Sequence, residues 1–224
     1  MVALSWSGGK DSARALAQLR ADGDPPGLLL ATVDEASGRV THHGVSRDLL
    51  RAQAESAGLA LAEVRVPRGA ANDVYEERMR SAFAEPPLAE ADAVAFGDLF
   101  LADLRAYREE RLAAAGVAAH FPIWGRDTAA LAREIASGDY AATVVSVDPA
   151  ALGPEWLGRG YDEGFLADLP ATVDPCGERG EFHTFVTRCP AFEAPIEVEA
   201  GGRIDEDGFP RLELIAAATA APKK

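Results

Sequence analysis

Ser7-Gly8-Gly9-Lys10-Asp11-Ser12 decides how the rest of the chain is read. Ahead of it runs Val2-Ala3-Leu4-Ser5-Trp6, short and mostly apolar. Behind it runs Ala13 to Arg20, rich in strong helix formers, with Leu16, Leu19 and the alanines at helical spacing. The order is strand, glycine turn, helix. Such a turn points backbone N–H groups at one spot, and the helix dipole adds positive potential there. That spot is an anion site, with phosphate the expected anion. Gly8 and Gly9 let the backbone approach a ligand with no Cβ in between. Lys10 brings a mobile point charge, Ser7 and Ser12 bring hydroxyls, and Asp11 brings a carboxylate suited to holding Mg²⁺ against phosphates.

Spacing sets aside the commoner phosphate loops. A Walker A loop needs Gly, four residues, then Gly-Lys-Ser/Thr, and a dinucleotide fingerprint needs three spaced glycines. The Ser-Gly-Gly-x-Asp-Ser pattern instead resembles the loop of the PP-loop ATP pyrophosphatases. That resemblance implies ATP gripped by its β- and γ-phosphates and cut between the α- and β-phosphates. It also implies an α/β fold, a Rossmann-like (HUP-type) doubly wound parallel sheet. The bland alternative, a Gly-Lys-Asp turn before an ordinary helix, is disfavoured by the position of the motif behind the first strand.

The length of 224 residues suits one domain, or one domain with a small appendage. With 48% hydrophobic and 26% charged residues the composition is that of a soluble globular protein. No apolar run approaches the ~20 residues of a membrane span. The start lacks the basic and apolar regions of a signal peptide, so cytoplasm is the expected location. Cys176 and Cys189 make neither a disulfide framework nor a zinc spacing and are read as reduced thiols. The net charge of −14, with no Lys/Arg run against it, repels phosphate backbones. Nucleic acid is disfavoured as a partner; a small-molecule or protein carboxylate substrate is expected.

Leu28 to Val33 reads as a strand buried on both faces. Its end, Thr32-Val33-Asp34, lies beside the glycine loop in a doubly wound sheet, where adenine or ribose is expected. Asp34 is either a ribose ligand or a turn residue. A helix from Arg47 to Ala57 and a strand from Ala60 to Val66 follow the His42-His43-Gly44 loop. A helix spans Asn72 to Glu85, capped by Asn72 or Asp73 and closed by Pro86-Pro87. Ala93 to Phe96 is a short strand ending at Gly97-Asp98. The next helix, Leu101 to Leu112, puts Leu101, Leu104, Arg108 and Arg111 on one face, which is also what a solvated helix with Arg–Glu pairs looks like. A helix opened by Asp127 and closed near Gly138 precedes a buried strand from Tyr140 to Val147. Pro149 to Gly160 is the expected seam between an ATP-binding unit (1–150) and a smaller C-terminal α+β subdomain (151–224). The latter holds a short helix within Tyr161 to Leu169 and an edge hairpin in 192–216 that turns at Gly201-Gly202, before a frayed end from Ala216 to Lys224.

Three further stretches sharpen the resemblance. Gly97-Asp98-Leu99 with Tyr107-Arg108-Glu109-Glu110-Arg111 is similar to the second signature of the diphthine–ammonia ligase family. Phe121 to Asp127, with Pro122 and Trp124, resembles its Pro-x-Trp element, and Asp174 to Thr184 resembles its Cys-Gly-Glu-x-Gly-Glu-Phe/Tyr signature. The ordered matches cover residues 2 to about 188. Carried over residue by residue, the resemblance implies nucleotide contacts at Ser7 to Ser12, at Thr32 to Asp34, at Gly97 and Asp98, and at His43. It implies substrate contacts at Tyr107, Arg108, Arg111, Trp124, Gly177, Glu178, Gly180, Glu181 and His183.

The paired acids Glu178 and Glu181 stand between glycines, where core packing does not explain them. They form either a solvated turn or a site in which one carboxylate binds Mg²⁺ or ammonium or acts as a base. His183 is a proton-transfer or a structural residue. The expected catalytic set is Lys10, Asp11, Arg111, Glu178 and Glu181, with ATP and Mg²⁺ as cofactors and Asp11 as the metal ligand. The implied reaction joins a carboxylate to ATP as an acyl-adenylate and then transfers the acyl group to ammonia. Arg108 and Arg111 orient the acid or the α-phosphate. No glutaminase cysteine stands at the N-terminus, so free ammonium or a partner supplies the nitrogen; a homodimer is the expected assembly. Arg179 departs from the small residue that the family commonly carries, which bears on the substrate pocket. A tRNA-modifying enzyme and a non-catalytic nucleotide sensor are the alternatives.

Overall fold

A computed structural model describes residues 1–40, 43–206 and 208–217. β1 (Val2–Ser5) runs into the glycine turn and α1 (Lys10–Ala21). Then come β2 (Leu28–Asp34), α2 (Arg47–Ser56), β3 (Ala60–Val66), α3 (Asn72–Phe83), β4 (Ala93–Ala95), α4 (Ala102–Ala114) and β5 (Ala118–His120). These five strands are parallel, in the order β3-β2-β1-β4-β5. The chain winds outward from β1, then crosses back to lay β4 against its other side. Successive residues of a strand face opposite ways. Leu4, Leu29, Ala31 and Val33 therefore pack with Leu16, Leu19, Leu49 and Leu50 of α1 and α2. Ala3, Leu28, Leu30, Val94 and Phe96 pack on the other face with Leu112 of α4 and with Tyr75, Met79 and Phe83 of α3. The result is a Rossmann-like α/β fold whose strand order reverses at β1, where an open sheet of this kind forms its ligand crevice.

The rest of the chain supplies α5 (Thr128–Ser137), β6 (Ala141–Val147), α6 (Glu163–Asp168), β7 (Phe182–Arg188), β8 (Val198–Glu206) and β9 (Phe209–Ala216). The four strands form an antiparallel sheet in the order β7-β6-β9-β8. Phe182 and Phe185 of β7 and Val144 of β6 belong to the same core as Leu4, Leu16 and Leu19. The two sheets are thus held by one continuous apolar interior around α1.

Several local expectations change. Sheet membership switches between His120 and Ala141, ahead of Pro149 to Gly160, so β6 sits with the second sheet. A continuous apolar run has no period that would say which sheet it joins. Residues 158–159 instead fold back on β6, with the Val144 amide donating to Arg159 O and the Gly158 amide to Val144 O, each at 2.9 Å. The C-terminal hairpin reverses between Glu206 and Phe209, while Gly201 and Gly202 make a bulge between the Ala200 and Arg203 pairings. Asn72 and Asp73 lie inside the first turn of α3, whose N-cap is Ala71 with no side-chain hydrogen bond. Asp127, by contrast, caps α5 through the Ala130 amide at 2.7 Å. His42 and the end of the chain from Ala218 onward lie outside the described residues. No helix among the described residues is long and apolar enough to cross a membrane.

Candidate active site

The glycine loop is held from three sides. Gly8 has φ +80°, and a Cβ there would lie 2.8 Å from Gln53 Oε1. Gln53, fully buried on α2, accepts from Trp6 Nε1 at 2.9 Å and donates to Gly8 O at 3.0 Å and Val186 O at 2.6 Å. From β7 the Val186 amide also donates to Gly8 O at 2.9 Å, and Thr184 Oγ1 accepts the Lys10 amide at 3.1 Å. Within the loop, Ser7 Oγ accepts from the Gly9 amide at 3.3 Å and Ser12 Oγ donates to Gly9 O at 2.9 Å. The Gly9 and Lys10 amides are therefore already engaged. Those of Asp11 and Ser12, in the first turn of α1, have no acceptor within the helix.

Above the loop opens a cavity of about 870 Å³, at the C-terminal ends of β1, β2 and β4 and under α3 and α4. Its loop side is lined by Ser7, Lys10, Asp11 and Ser12, with Thr32 and His43 alongside. Gly97, Asp98, Tyr107, Arg108 and Arg111 come from β4 and α4. Gly177, Glu178, Gly180 and His183 close it from the C-terminal part. Gly97 permits this closeness, because a Cβ would lie 2.9 Å from backbone atoms of Asp11. Gly8 and Gly9 sit behind the loop rather than on the cavity wall.

Four expected site residues point elsewhere. Val33 faces the α1–α2 core and is fully buried, since strand alternation gives the cavity only Thr32. Asp34 is a turn residue: its Oδ1 accepts the Ser37 amide at 2.6 Å, and hydrogen bonds from Ser37 hold its carboxyl below the usual aspartate range. Trp124 packs edge-on against Phe121 with the Arg105 guanidinium 4.8 Å above its ring, away from the cavity. Glu181 is buried and braces its own loop, accepting from the Asp174 amide at 3.0 Å and the Arg179 amide at 2.9 Å.

The charges that do meet at the cavity are strongly coupled. Lys10 is not mobile: its Nζ is buried, 2.9 Å from Asp11 Oδ2, donates also to Cys176 O, and lies 5.3 and 5.1 Å from the Tyr161 and Phe182 ring centres. Burial is the largest influence and opposes its charge, but the Asp11 carboxylate, together with Cys176 and Glu178 behind it, raises its pKa. Glu178 Oε1 accepts from the Leu99 amide at 2.7 Å and the Phe100 amide at 3.3 Å. Burial nevertheless pushes its pKa up to about 7, against those two bonds and with help from the Asp11 and Asp98 charges. Arg108 contacts Asp98 at 2.7 Å and lies 4.1 Å over the Phe96 ring centre. Arg111 contacts Glu76 at 3.1 Å, and the Tyr107 hydroxyl donates to the same carboxylate at 3.2 Å. The His43 and His183 rings pack tilted against each other, with centres 4.4 Å apart. Burial lifts the Cys176 thiol to about 12, which leaves it un-ionised and a poor nucleophile.

Sequence comparison joins the two halves of this site. The profile described as diphthamide synthase N-terminal domain matches residues 1–117, and that of the diphthamide synthase C-terminal domain matches residues 127–212. The chain belongs to the diphthamide synthase family. Among relatives, a human protein named diphthine–ammonia ligase is 35% identical over 83 residues, covering 35% of this chain and 31% of the relative. A zebrafish (Danio rerio) protein of the same name is 36% identical over 83 residues, or 35% of this chain and 32% of its own. A bovine one is 34% identical over 83 residues, with 35% and 31% covered. The chain thus matches about a third of the length of these curated relatives.

The two family matches part at 117 and 127, beside β5, the last strand of the first sheet, and ahead of β6 in the second. Both family domains contribute to the cavity: the glycine loop and Arg108 from the first, Gly177 to Thr184 from the second. Gln53, which no motif singled out, and Thr184, the last residue of the Asp174 to Thr184 signature stretch, shape the loop. A clue to Gln53 lay in its helical spacing with Leu49, Leu50 and Ala54, a polar side chain on an otherwise apolar face. A divalent cation fits Asp11, whose Oδ1 is buried without a hydrogen-bond partner. Among the described residues no three His, Cys, Asp or Glu side chains converge as a metal cage. Mg²⁺ held by one or two carboxylates together with phosphate oxygens requires none.

Proposed function

We propose that this member of the diphthamide synthase family is an ATP-dependent amide ligase of the PP-loop kind, which joins a carboxylate to ammonia and yields AMP and pyrophosphate. One observation supports it above the others. A glycine turn at a helix N-terminus and a carboxyl group with a pKa of about 7, Glu178, face one cavity. The first suits a phosphate chain and the second suits proton transfer near neutral pH.

In this reading the diphosphate of ATP lies against the first turn of α1, with the Ser7 hydroxyl as a donor and the Ser12 hydroxyl bracing the loop through Gly9 O. Asp11 is the residue that would hold Mg²⁺, whose charge offsets that of the leaving diphosphate. A substrate carboxylate oxygen bonds to the α-phosphorus as the bond to the β-phosphate oxygen breaks, giving an acyl-adenylate and pyrophosphate. Ammonia then bonds to the acyl carbon, Glu178 accepts the proton lost from nitrogen, and the bond to AMP breaks. Arg108, beside Asp98, orients the adenylate. Lys10 keeps Asp11 in place from below rather than reaching out to the phosphates. The relatives are named for diphthine, a candidate acid here, and ammonium is the proposed nitrogen source. The net charge of −14 weighs against a tRNA substrate. Two buried free thiols accord with a cytoplasmic setting.

ATP–pyrophosphate exchange across a panel of acids tests the first half of the reaction, and AMP formation on adding ammonium tests the second. The expected result is acid-dependent exchange followed by stoichiometric AMP and amide. ADP as the product, or exchange that ignores the acid, overturns the reading.

A further inference from the structure

The cavity has two chemically different ends. Around the glycine loop it carries Asp11, Asp98, Glu178 and Arg108. Between α3 and α4 it is walled by Tyr75, Met79 and Phe83 on one side and by Leu104 and Leu112 on the other. α3 has no buried residue, although these three side chains turn toward α4. They are only partly buried against the core, and a guest that covers the apolar surface they leave on the cavity gains about 25 cal/mol per Å². The polar groups at this end are occupied with one another: Glu76 takes both Arg111 and the Tyr107 hydroxyl, and Arg80 pairs with Glu77. Arg108, over the Phe96 ring, marks the border between the two ends.

We propose that the α3–α4 end of the cavity is a subsite for the body of the substrate acid, and that this body is an aliphatic or aromatic group. The inference rests on the ligase reading for the word substrate, not for the binding. The carboxylate faces Arg108 and the reacting end, and the apolar body lies between the two helices. Met79, unbranched and polarisable, adapts its shape to such a guest. The cations at this end are already paired with carboxylates, which favours an apolar body over a polyanion there.

Calorimetry on the full chain with Mg²⁺ and a non-hydrolysable ATP analogue, titrating acetate, butanoate, hexanoate, phenylacetate and succinate, tests this without turnover. Each buried CH₂ strengthens binding about fourfold, so hexanoate and phenylacetate bind well ahead of acetate and succinate. Met79→Trp and Leu104→Trp, which fill the groove, weaken hexanoate at least tenfold while the ATP analogue binds within twofold of its original affinity. Succinate binding as tightly as hexanoate overturns the proposal, as do fillers without effect on hexanoate. A loss of ATP-analogue affinity equal to that of hexanoate also overturns it, because the groove then houses the adenine. Chain-length-dependent binding with no AMP formed would leave the subsite standing and sink the ligase reading alone.

Discussion

Gln53 donates to the carbonyl oxygen of Gly8 across 3.0 Å from the interior of α2, with no part of its side chain reaching solvent. The same amide group reaches Val186 O and Trp6 Nε1, so one side chain ties the end of β1, the glycine loop and β7 together. The loop is therefore shaped by the second sheet as much as by its own sequence. Gln53→Ala strands a buried indole N–H and a buried carbonyl, at about 1–3 kcal/mol for each group left unpaired. The variant is expected to lose several degrees of thermal stability and to bind ATP at least tenfold more weakly, as read by denaturation and calorimetry. Gln53→Glu places a carboxylate against two carbonyl oxygens and should be worse than Ala. Unchanged ATP affinity in both would show that the loop keeps its shape without the clamp.

Glu178 gives a pH dependence with a definite sign. Its carboxyl sits at about 7 in the folded chain against an ordinary value of 4.5, chiefly through burial. Between those values the folded state holds a proton that the unfolded state has lost. Stability contributed by this group is therefore full below pH 4.5 and falls as pH rises through about 7. Glu178→Gln keeps an oxygen acceptor for the Leu99 amide and removes the titration. The melting temperature of the variant should overtake that of the parent as pH climbs from 5 to 8, a window of about three units around the shifted value. Parallel curves for the two proteins would mean that Glu178 ionises like a free side chain.

How far the sequence carries is uneven, and the reasons are physical. The parallel sheet was readable because Leu28 to Val33 is apolar throughout and Ser7 to Ser12 sits where a strand meets a helix. The place of β6 was not, since pairing partners are chosen by long-range contacts that a local apolar run does not encode. Most residues expected at the site do reach one cavity. Val33 and Trp124 fail for a geometric reason: strand alternation sends one to the other face, and the Pro-x-Trp stretch turns the other outward onto Arg105. Glu181 fails because motif membership does not distinguish an acid that meets ligand from one that holds the loop.

That distinction is itself testable. Glu181 accepts two backbone amides seven and two residues before it, so Glu181→Gln swaps one of its two acceptors for a donor facing an N–H. The expected cost is about 1–3 kcal/mol of folding stability, with no change in the shape of the pH–rate profile. Glu178→Gln should do the opposite, altering the profile near neutral pH. A Glu181→Gln variant with native stability and a displaced profile would return Glu181 to the chemistry.

The last prediction concerns Lys10 and Asp11, adjacent in sequence and paired at 2.9 Å at the start of α1. A lysine that follows glycines invites the picture of an arm extended to phosphate, but here the ammonium is enclosed by Cys176 O and two aromatic rings. Lys10→Met fills the same space and leaves the Asp11 carboxylate without its countercharge. Removing one partner of a buried pair costs about 3–5 kcal/mol, and Asp11, with 29% of its side chain exposed to the cavity, places the loss near or below the lower bound. Lys10→Met/Asp11→Asn removes the uncompensated charge and should recover at least half of that loss, a coupling that a double-mutant cycle measures directly. A phosphate-reaching lysine predicts another pattern: Lys10→Met would fold as well as the parent, the cycle would show no coupling, and only ATP affinity would fall. Chemical denaturation of the four proteins, with and without the nucleotide, separates the two.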